Sequence, residues 1–229
     1  MENLAERLEE AMQIKTAFTI PIMGGIEINQ SVVTTWFIML FLLLLSLFLT
    51  KDMKTRNPGK RQVVAEAIVT GLRKLVGGMV GEEGEKYVPY LSTVLIYIGI
   101  ANILGLFNIN PPTMDLRVTV ALALMSIVLI EAAAIASKGG KGFLKSFAEP
   151  VALVAPINVL EILIKPLSLC MRLFGNVFAA FVIMEMVKTA VPAVLPAALC
   201  LYFDLFDGLI QAYVFVFLTS LYLKEAIEE

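Results

Sequence analysis

The stretch Ser31–Thr50, SVVTTWFIMLFLLLLSLFLT, contains no charged side chain. About 20 consecutive apolar residues in an α-helix are enough to cross the hydrocarbon core of a bilayer. The rest of the 229-residue chain has a similar character, because 59% of its residues are hydrophobic and only 17% are charged. Soluble domains carry about 25% charged residues. The composition therefore predicts a membrane protein, and it excludes an ordinary soluble domain and a disordered chain.

Four further apolar stretches follow the first one. Pro89–Phe107 has no charge, and Asn102 is its one strongly polar side chain. Arg117–Ser137 is interrupted by Glu131. The last two stretches, 151–188 and 194–223, carry more charge. We therefore expect one all-α polytopic membrane domain over 1–229, with an extracytoplasmic segment at 1–30 and crossing helices at 31–50, 89–107, 117–137, 151–188 and 194–223. The last two helices are expected to form a tilted hairpin.

The basic residues predict the orientation of this domain. Twelve of them fall in loops on one side of the membrane: Lys51, Lys54, Arg56, Lys60, Arg61, Arg73, Lys74, Lys86, Lys138, Lys141, Lys145 and Lys224. Four fall on the other side: Arg7, Lys15, Arg117 and Lys188. Basic loops favour the cytoplasm. The pattern predicts an outside N-terminus and a cytoplasmic C-terminus, which five crossings require.

The segments between the spans have their own patterns. Residues 62–80 place apolar side chains at helical spacing, which predicts an amphipathic helix on the cytoplasmic membrane surface; a plain loop helix is the alternative. Pro111 and Pro112 predict a tight outside turn, and Gly139, Gly140 and Gly142 a flexible inside loop. The acidic residues of Met1–Lys15 argue against a secretory signal.

The sequence gives no indication of a metal, a cofactor or a nucleic-acid partner. There is no histidine, the two cysteines lie in apolar stretches, and the net charge is −2. A zinc site or a disulfide framework needs more ligands at close spacing. Cys170 and Cys200 are therefore expected to be packing residues.

Seven ionisable side chains lie at membrane depth, where each costs roughly 2.5–3.5 kcal/mol on insertion scales. They are Glu131, Glu161, Lys165, Arg172, Glu185, Asp204 and Asp207. At about 100° per residue, the polar residues from Glu161 to Asn176 share a stripe about 80° wide. Asp204, Asp207 and Gln211 share a face of the last span. Such stripes favour a protein that moves ions.

Structural explanations remain open for some of these charges. Glu161 and Lys165 are four residues apart and could simply neutralise each other. Asp207 could be merely hydrated, and Glu131 could be a lone buried acid bonded to a neighbouring helix. Arg172 has no acid three or four residues away, so its partner must come from another helix or another subunit.

The sequence around Arg172, KPLSLCMRLFGNVF at Lys165–Phe178, closely resembles the signature of subunit a of the membrane sector of bacterial F-type ATP synthases. Asn110–Leu124 resembles the Pro-Thr-x-Asp loop of this family, and Gln211–Leu223 resembles its C-terminal segment. The resemblance covers nearly the whole chain and is weakest over Met1–Gln30.

The resemblance implies a stator ion-channel subunit, not catalytic on its own, in the bacterial cell membrane. The implied partners are a rotating c-subunit ring, which the final hairpin faces, a b-subunit peripheral stalk and the F1 sector. The essential arginine of the family corresponds to Arg172, its helper polar residues to Asn176 and Gln211, and an ionisable residue of the last helix to Asp204. Relatives often place Glu or His where this chain has Phe181.

The predicted topology assigns the acids to two aqueous half-channels. Asp204, Asp207 and Glu185 are expected to line the outer one, and Glu161 the inner one. The coupling ion is a proton or Na⁺. The competing functions are an independent ion channel or secondary transporter, which would conduct without a ring, and a structural scaffold. The absence of a long internal repeat weakens the transporter.

Overall fold

The computed structural model describes residues 16–20, 26–51, 53–55, 59–107, 109–146, 155–190 and 194–228. The predictions for Met1–Lys15 and for the start of the fourth span at 151–154 lie outside the described residues. Helices dominate the described part of the chain. Five of them are long and apolar enough to cross a membrane: Gln30–Thr50, Glu85–Phe107, Leu116–Gly140, Pro156–Lys188 and Ala198–Ile227. These agree with the five predicted spans, and the all-α polytopic fold class is confirmed.

A short β-hairpin precedes the first span. Strands β1 (Thr16–Ile20) and β2 (Ile26–Asn29) pair in antiparallel fashion, and Thr16 faces Asn29. The sequence analysis predicted no structure in this segment. At its end, the Asn29 side chain donates a hydrogen bond of 3.3 Å to Asp115, and both residues are buried. The hairpin is thereby joined to the loop between the second and third spans.

Helices α1 (Gln30–Thr50) and α2 (Lys60–Val80) form the first pair of helices. Most α1 side chains are exposed, and Ile38 is its one buried residue, which suits a helix surrounded by lipid. Helix α2 begins two residues before the predicted surface helix. It places Val76 and Val80 in the core and leaves Val63 and Val69 half-exposed. Arg61 lies over the Phe48 ring at 4.3 Å and connects the two helices.

Helices α3 (Val88–Ile103) and α4 (Leu116–Ser146) follow, joined by short 3₁₀ turns at Leu104–Phe107 and Pro112–Met114. The tight turn predicted at Pro111-Pro112 is present. The loop predicted at the three glycines is wrong, because helical structure continues to Ser146 across a kink at Gly139. Gly139 has a φ of 72°, a conformation that glycine adopts without strain. A single left-handed residue therefore changes the direction of the helix.

The last two spans are α5 (Ala155–Ala190) and a composite helix made of α6 (Val194–Cys200), a π-helical segment (Leu201–Asp207) and α7 (Gly208–Glu228). The core lies where α7 packs between α3 and α4, with Leu91, Ile98, Phe215 and Val216 at its centre. Helix α5 packs along α4 and also contacts α6 and α7. The last two spans are thus neighbours, as the predicted hairpin requires.

Candidate functional site

Arg172 lies near the middle of α5, about 26 Å along the helix axis from Ala155. Its side chain is exposed. Among the residues that the structure describes, Arg172 has no ion pair and no hydrogen bond to its side chain. The guanidinium group cannot lose its proton inside a protein, so α5 presents a fixed positive charge on its outer surface.

One helical turn beyond Arg172, a hydrogen bond joins the polar stripes of the two final spans. Asn176 donates its amide Nδ2 to Oε1 of Gln211 over 2.7 Å. Asn176 is exposed, whereas Gln211 is only 4% exposed and lies against the core. Helix α7 therefore holds Gln211 rigidly, and Gln211 in turn orients the amide of Asn176.

Gln211 also lines a cavity of about 250 Å³ between α3, α5 and the last span. The three acids assigned by the sequence to the outer half-channel, Glu185, Asp204 and Asp207, all line this cavity. Other parts of its wall come from the loop between α3 and α4, from Pro196 and from Phe181. The cavity thus lies at the end of the helices where these connections are found. It extends inward to Gln211, about one turn from Arg172.

Asp204 and Asp207 both belong to the π-helical segment Leu201–Asp207. Wider turns of this kind occur mostly as short interruptions of α-helices and are frequent at functional sites. Cys200 donates its thiol to Oδ2 of Asp204 over 2.8 Å. The backbone of Gly105 is also close, because a Cβ added there would lie 2.6 Å from the carboxyl carbon of Asp204. The Asp204 carboxylate is therefore enclosed by both of these residues.

The end of α3 also fixes the residue that follows the π-helical segment. Asn102 donates Nδ2 to the backbone oxygen of Gly208 over 2.9 Å, and its Oδ1 accepts a 2.7 Å hydrogen bond from Thr113. Asn102 is buried, so these bonds satisfy a polar group that would be expensive to bury alone. They hold the start of α7 against α3.

An ion pair lies in the wall of the cavity. Lys188 is 2.7 Å from Glu185, three residues earlier on α5. Both line the cavity. Glu185 therefore lines the cavity and also forms an ion pair with Lys188.

A second charged cluster lies on the other side of Arg172. Lys165 is 3.4 Å from Glu161 and 3.5 Å from Glu225 of α7. The Lys165 ammonium also lies 5.5 Å from the Tyr222 ring centre. The neutralising pair that the sequence left open as an alternative is therefore present. Glu131 of α4 is close enough to interact electrostatically with Lys165, so it has a charged neighbour on another helix.

The structure brings the predicted residues into three groups. Asp204, Asp207, Glu185 and Gln211 meet at the cavity, Asn176 is bonded to Gln211, and Glu161 lies with Lys165 in the separate cluster. Arg172 is exposed beside Asn176. The sequence analysis missed the contacts of Cys200 and Gly105. The four-residue spacing of Cys200 and Asp204 was a usable signal, whereas nothing in the sequence placed Gly105 beside Asp204.

Comparison with known proteins identifies the family of the chain. The family described as ATP synthase A chain matches residues 32–224. The sodium ion specific ATP synthase subunit a of Propionigenium modestum is 36% identical over an alignment 219 positions long, which covers 89% of this chain and 75% of that protein. ATP synthase subunit a of Moorella thermoacetica is 36% identical over 202 residues, 88% of this chain and 92% of that one.

A third relative, ATP synthase subunit a 1 of Chlorobaculum parvum, is 34% identical over 205 residues, which are 89% of this chain and 90% of that protein. The family match begins near the start of the first span and ends within the fifth. The chain belongs to the ATP synthase A chain family.

Proposed function

We propose that the chain is the stator ion-channel subunit of a rotary F-type ATP synthase. It provides two half-channels and an essential arginine for moving protons or Na⁺ as a ring of c subunits rotates. The observation that carries this proposal is the position of Arg172. It is exposed halfway along α5, has no ion pair among the described residues, and lies one turn from the inner end of an acid-lined cavity.

The fixed charge of Arg172 acts on carboxylates carried past it by the ring. An opposite charge nearby favours the ionised form of a carboxylate, which therefore releases its ion. When the same carboxylate turns towards lipid, desolvation favours its neutral, ion-loaded form. Arg172 thus separates unloading from loading and prevents ions from passing straight through. Asn176 and Gln211 keep a hydrogen-bonded boundary beside it.

The cavity supplies the outer half-channel in this proposal. Asp204, Asp207 and Glu185 offer carboxylates along its wall, and Gln211 marks its inner end. The inner half-channel runs on the opposite side of Arg172, past Glu161. The ion pair of Glu161 with Lys165 compensates the charge on that side. Arg172 is then the cation of the polar stripe that has no ion pair among the described residues.

The remaining assignments follow from the same function. The N-terminus lies outside and the C-terminus in the cytoplasm of a bacterial cell, so that the cavity opens to the outside. The exposed face of α5 meets the c ring, and a b-subunit stalk holds the chain against rotation. ATP chemistry belongs to the F1 sector, since the sequence contains no Gly-x-x-x-x-Gly-Lys-Ser/Thr loop for phosphate binding.

The test is ion flux in liposomes, measured with the whole complex and with the purified chain alone. We expect ATP-driven transport by the complex and no flux through the chain without its ring. Flux through the isolated chain would instead support an independent channel or transporter. Repeating the assay with and without Na⁺ identifies the coupling ion, because only Na⁺-coupled transport needs added Na⁺.

A further inference from the structure

The carboxylate of Asp204 is enclosed by residues from two different spans. Cys200, one turn earlier, donates Sγ–H to Oδ2 over 2.8 Å. Gly105, just after α3, lies against the whole carboxyl group, since an added Cβ there would lie 2.6 Å from Cγ and Oδ1 and 2.9 Å from Oδ2. The carboxylate therefore has a hydrogen-bond donor at one oxygen and close backbone beside both oxygens.

The need for glycine at 105 is steric. Its backbone does not adopt the left-handed conformation that favours glycine, which among the described glycines occurs at Gly81 and Gly139. Real Cβ atoms essentially never approach another heavy atom within 3.0 Å. Any larger residue at 105 would displace the carboxyl group of Asp204.

The two cysteines of the chain differ in their surroundings. Cys170 is 3% exposed, and its polar neighbour Thr119 is 3.5 Å away, as expected of a packing residue. Cys200 is partly exposed, lines the cavity and bonds directly to a carboxylate. Packing alone therefore does not account for Cys200.

We infer that Gly105 and Cys200 are positioning residues, which hold the Asp204 carboxylate in a single orientation in the cavity. This inference rests on the proposed function, because it assigns Asp204 to the ion path. The bond from Asn102 to Gly208 supports it by fixing the other end of the π-helical segment to the same part of α3. Ions entering the cavity then meet Asp204 in one defined geometry.

The first test labels the thiols of the assembled complex with N-ethylmaleimide and measures each site by mass spectrometry. We expect Cys200 to react and Cys170 to stay unlabelled. Asp204→Asn should speed the labelling of Cys200 at least about fivefold, because a negative charge at hydrogen-bond distance opposes formation of the reactive thiolate. The matched control Asp207→Asn removes another acid of the cavity and should leave the rate unchanged. Equal effects of the two variants, or an unreactive Cys200, would overturn the inference.

The second test compares two glycines near the same helix. Gly105→Ala should change the Cys200 labelling rate and shift the pH profile of ATP-driven transport. Gly99→Ala should change neither, because its added Cβ would meet Leu209 at an ordinary 3.6 Å. Cys200→Ser, which keeps a donor, should preserve the wild-type pH profile, whereas Cys200→Ala should shift it. Identical behaviour of the two glycine variants, or of the two cysteine variants, contradicts a positioning role.

The labelling experiment distinguishes a failure of this inference from a failure of the proposed function. If labelling responds as expected but Asp204 variants transport ions normally, the contacts of Asp204 are supported and its assignment to the ion path is wrong. If transport depends on Asp204 but labelling is insensitive to it, the positioning role is wrong. If the Gly105→Ala variant fails to assemble, the labelling rate of Cys200 in Asp204→Asn still tests the positioning role.

Discussion

An arginine in the middle of a membrane helix is expensive unless another charge or water compensates it. Arg172 is exposed and has no hydrogen bond or ion pair to its side chain among the described residues. Lys165, on the same helix, has two carboxylates within 3.5 Å. The contrast between these two bases is that Lys165 is compensated by carboxylates of its own chain, whereas Arg172 has no such partner among the described residues.

Asp204 and Asp207 share the cavity but differ in their contacts, and this difference predicts different phenotypes. Asp204 is bonded to Cys200 and enclosed by Gly105, whereas Asp207 is not. We expect Asp204→Asn to slow ATP-driven ion transport by about a hundredfold, a typical contribution of a positioned proton-transfer group, with assembly intact. Initial transport rates in liposomes measure this. Normal flux in Asp204→Asn together with lost flux in Asp207→Asn would reverse the choice between the two aspartates.

The bond between Asn176 and Gln211 predicts an energetic coupling between the last two spans. Hydrogen bonds between membrane helices contribute about 0.6 kcal/mol on average and at most about 1.7 kcal/mol. A double-mutant cycle with Asn176→Ala and Gln211→Ala, measured by unfolding in SDS, should give a coupling in this range. A pair without coupling would show that the two side chains do not interact in the folded protein.

The residues of the site were predictable to different degrees. Arg172, Asn176 and Gln211 were predictable as candidates, because a signature string and helical spacing single them out. The contact of Cys200 with Asp204 was not predictable, because a cysteine in an apolar run has the pattern of a packing residue. Gly105 was missed for a different reason. Its contact with Asp204 depends on how two distant spans pack, and local spacing carries no such information.

At the scale of elements, the five spans were predictable because their length and hydrophobicity are imposed by the bilayer. The details within them were not. The π-helical segment changes the hydrogen-bond register of the last span without a glycine or proline that would indicate it. The hairpin of β1 and β2 was missed because its strands are only five and four residues long.

The kink in α4 gives a prediction about this element. Gly139 has a φ of 72° and a ψ of 161°, a conformation that is almost confined to glycine and costs another residue roughly 1–3 kcal/mol. Gly139→Ala should therefore lower the free energy of unfolding by about that amount. Gly140→Ala is the matched control, since Gly140 is not left-handed and nothing lies within 4 Å of its added Cβ. If the two variants were equally stable in the same unfolding assay, position 139 would have no energetic preference for glycine.

For the whole molecule, the distribution of charge predicts the orientation in the membrane. Lys54→Cys should be protected from an impermeant maleimide added to intact cells. A cysteine at Ile109, in the loop next to the cavity, should react. Both substitutions belong in a background with Cys200 changed to Ser. The reverse labelling pattern would place the cavity on the cytoplasmic side and exchange the two half-channels.

The central claim is that Arg172 supplies the fixed charge that couples ion movement to the ring. The most direct measurement is ATP-driven ion transport by the reconstituted complex carrying Arg172→Ala, beside Arg117→Ala as an exposed arginine at the start of α4. We predict that transport stops in the Arg172 variant, because no charge remains to displace the ion from the ring carboxylate, and continues in the Arg117 variant. Transport at the normal rate in Arg172→Ala would contradict the account.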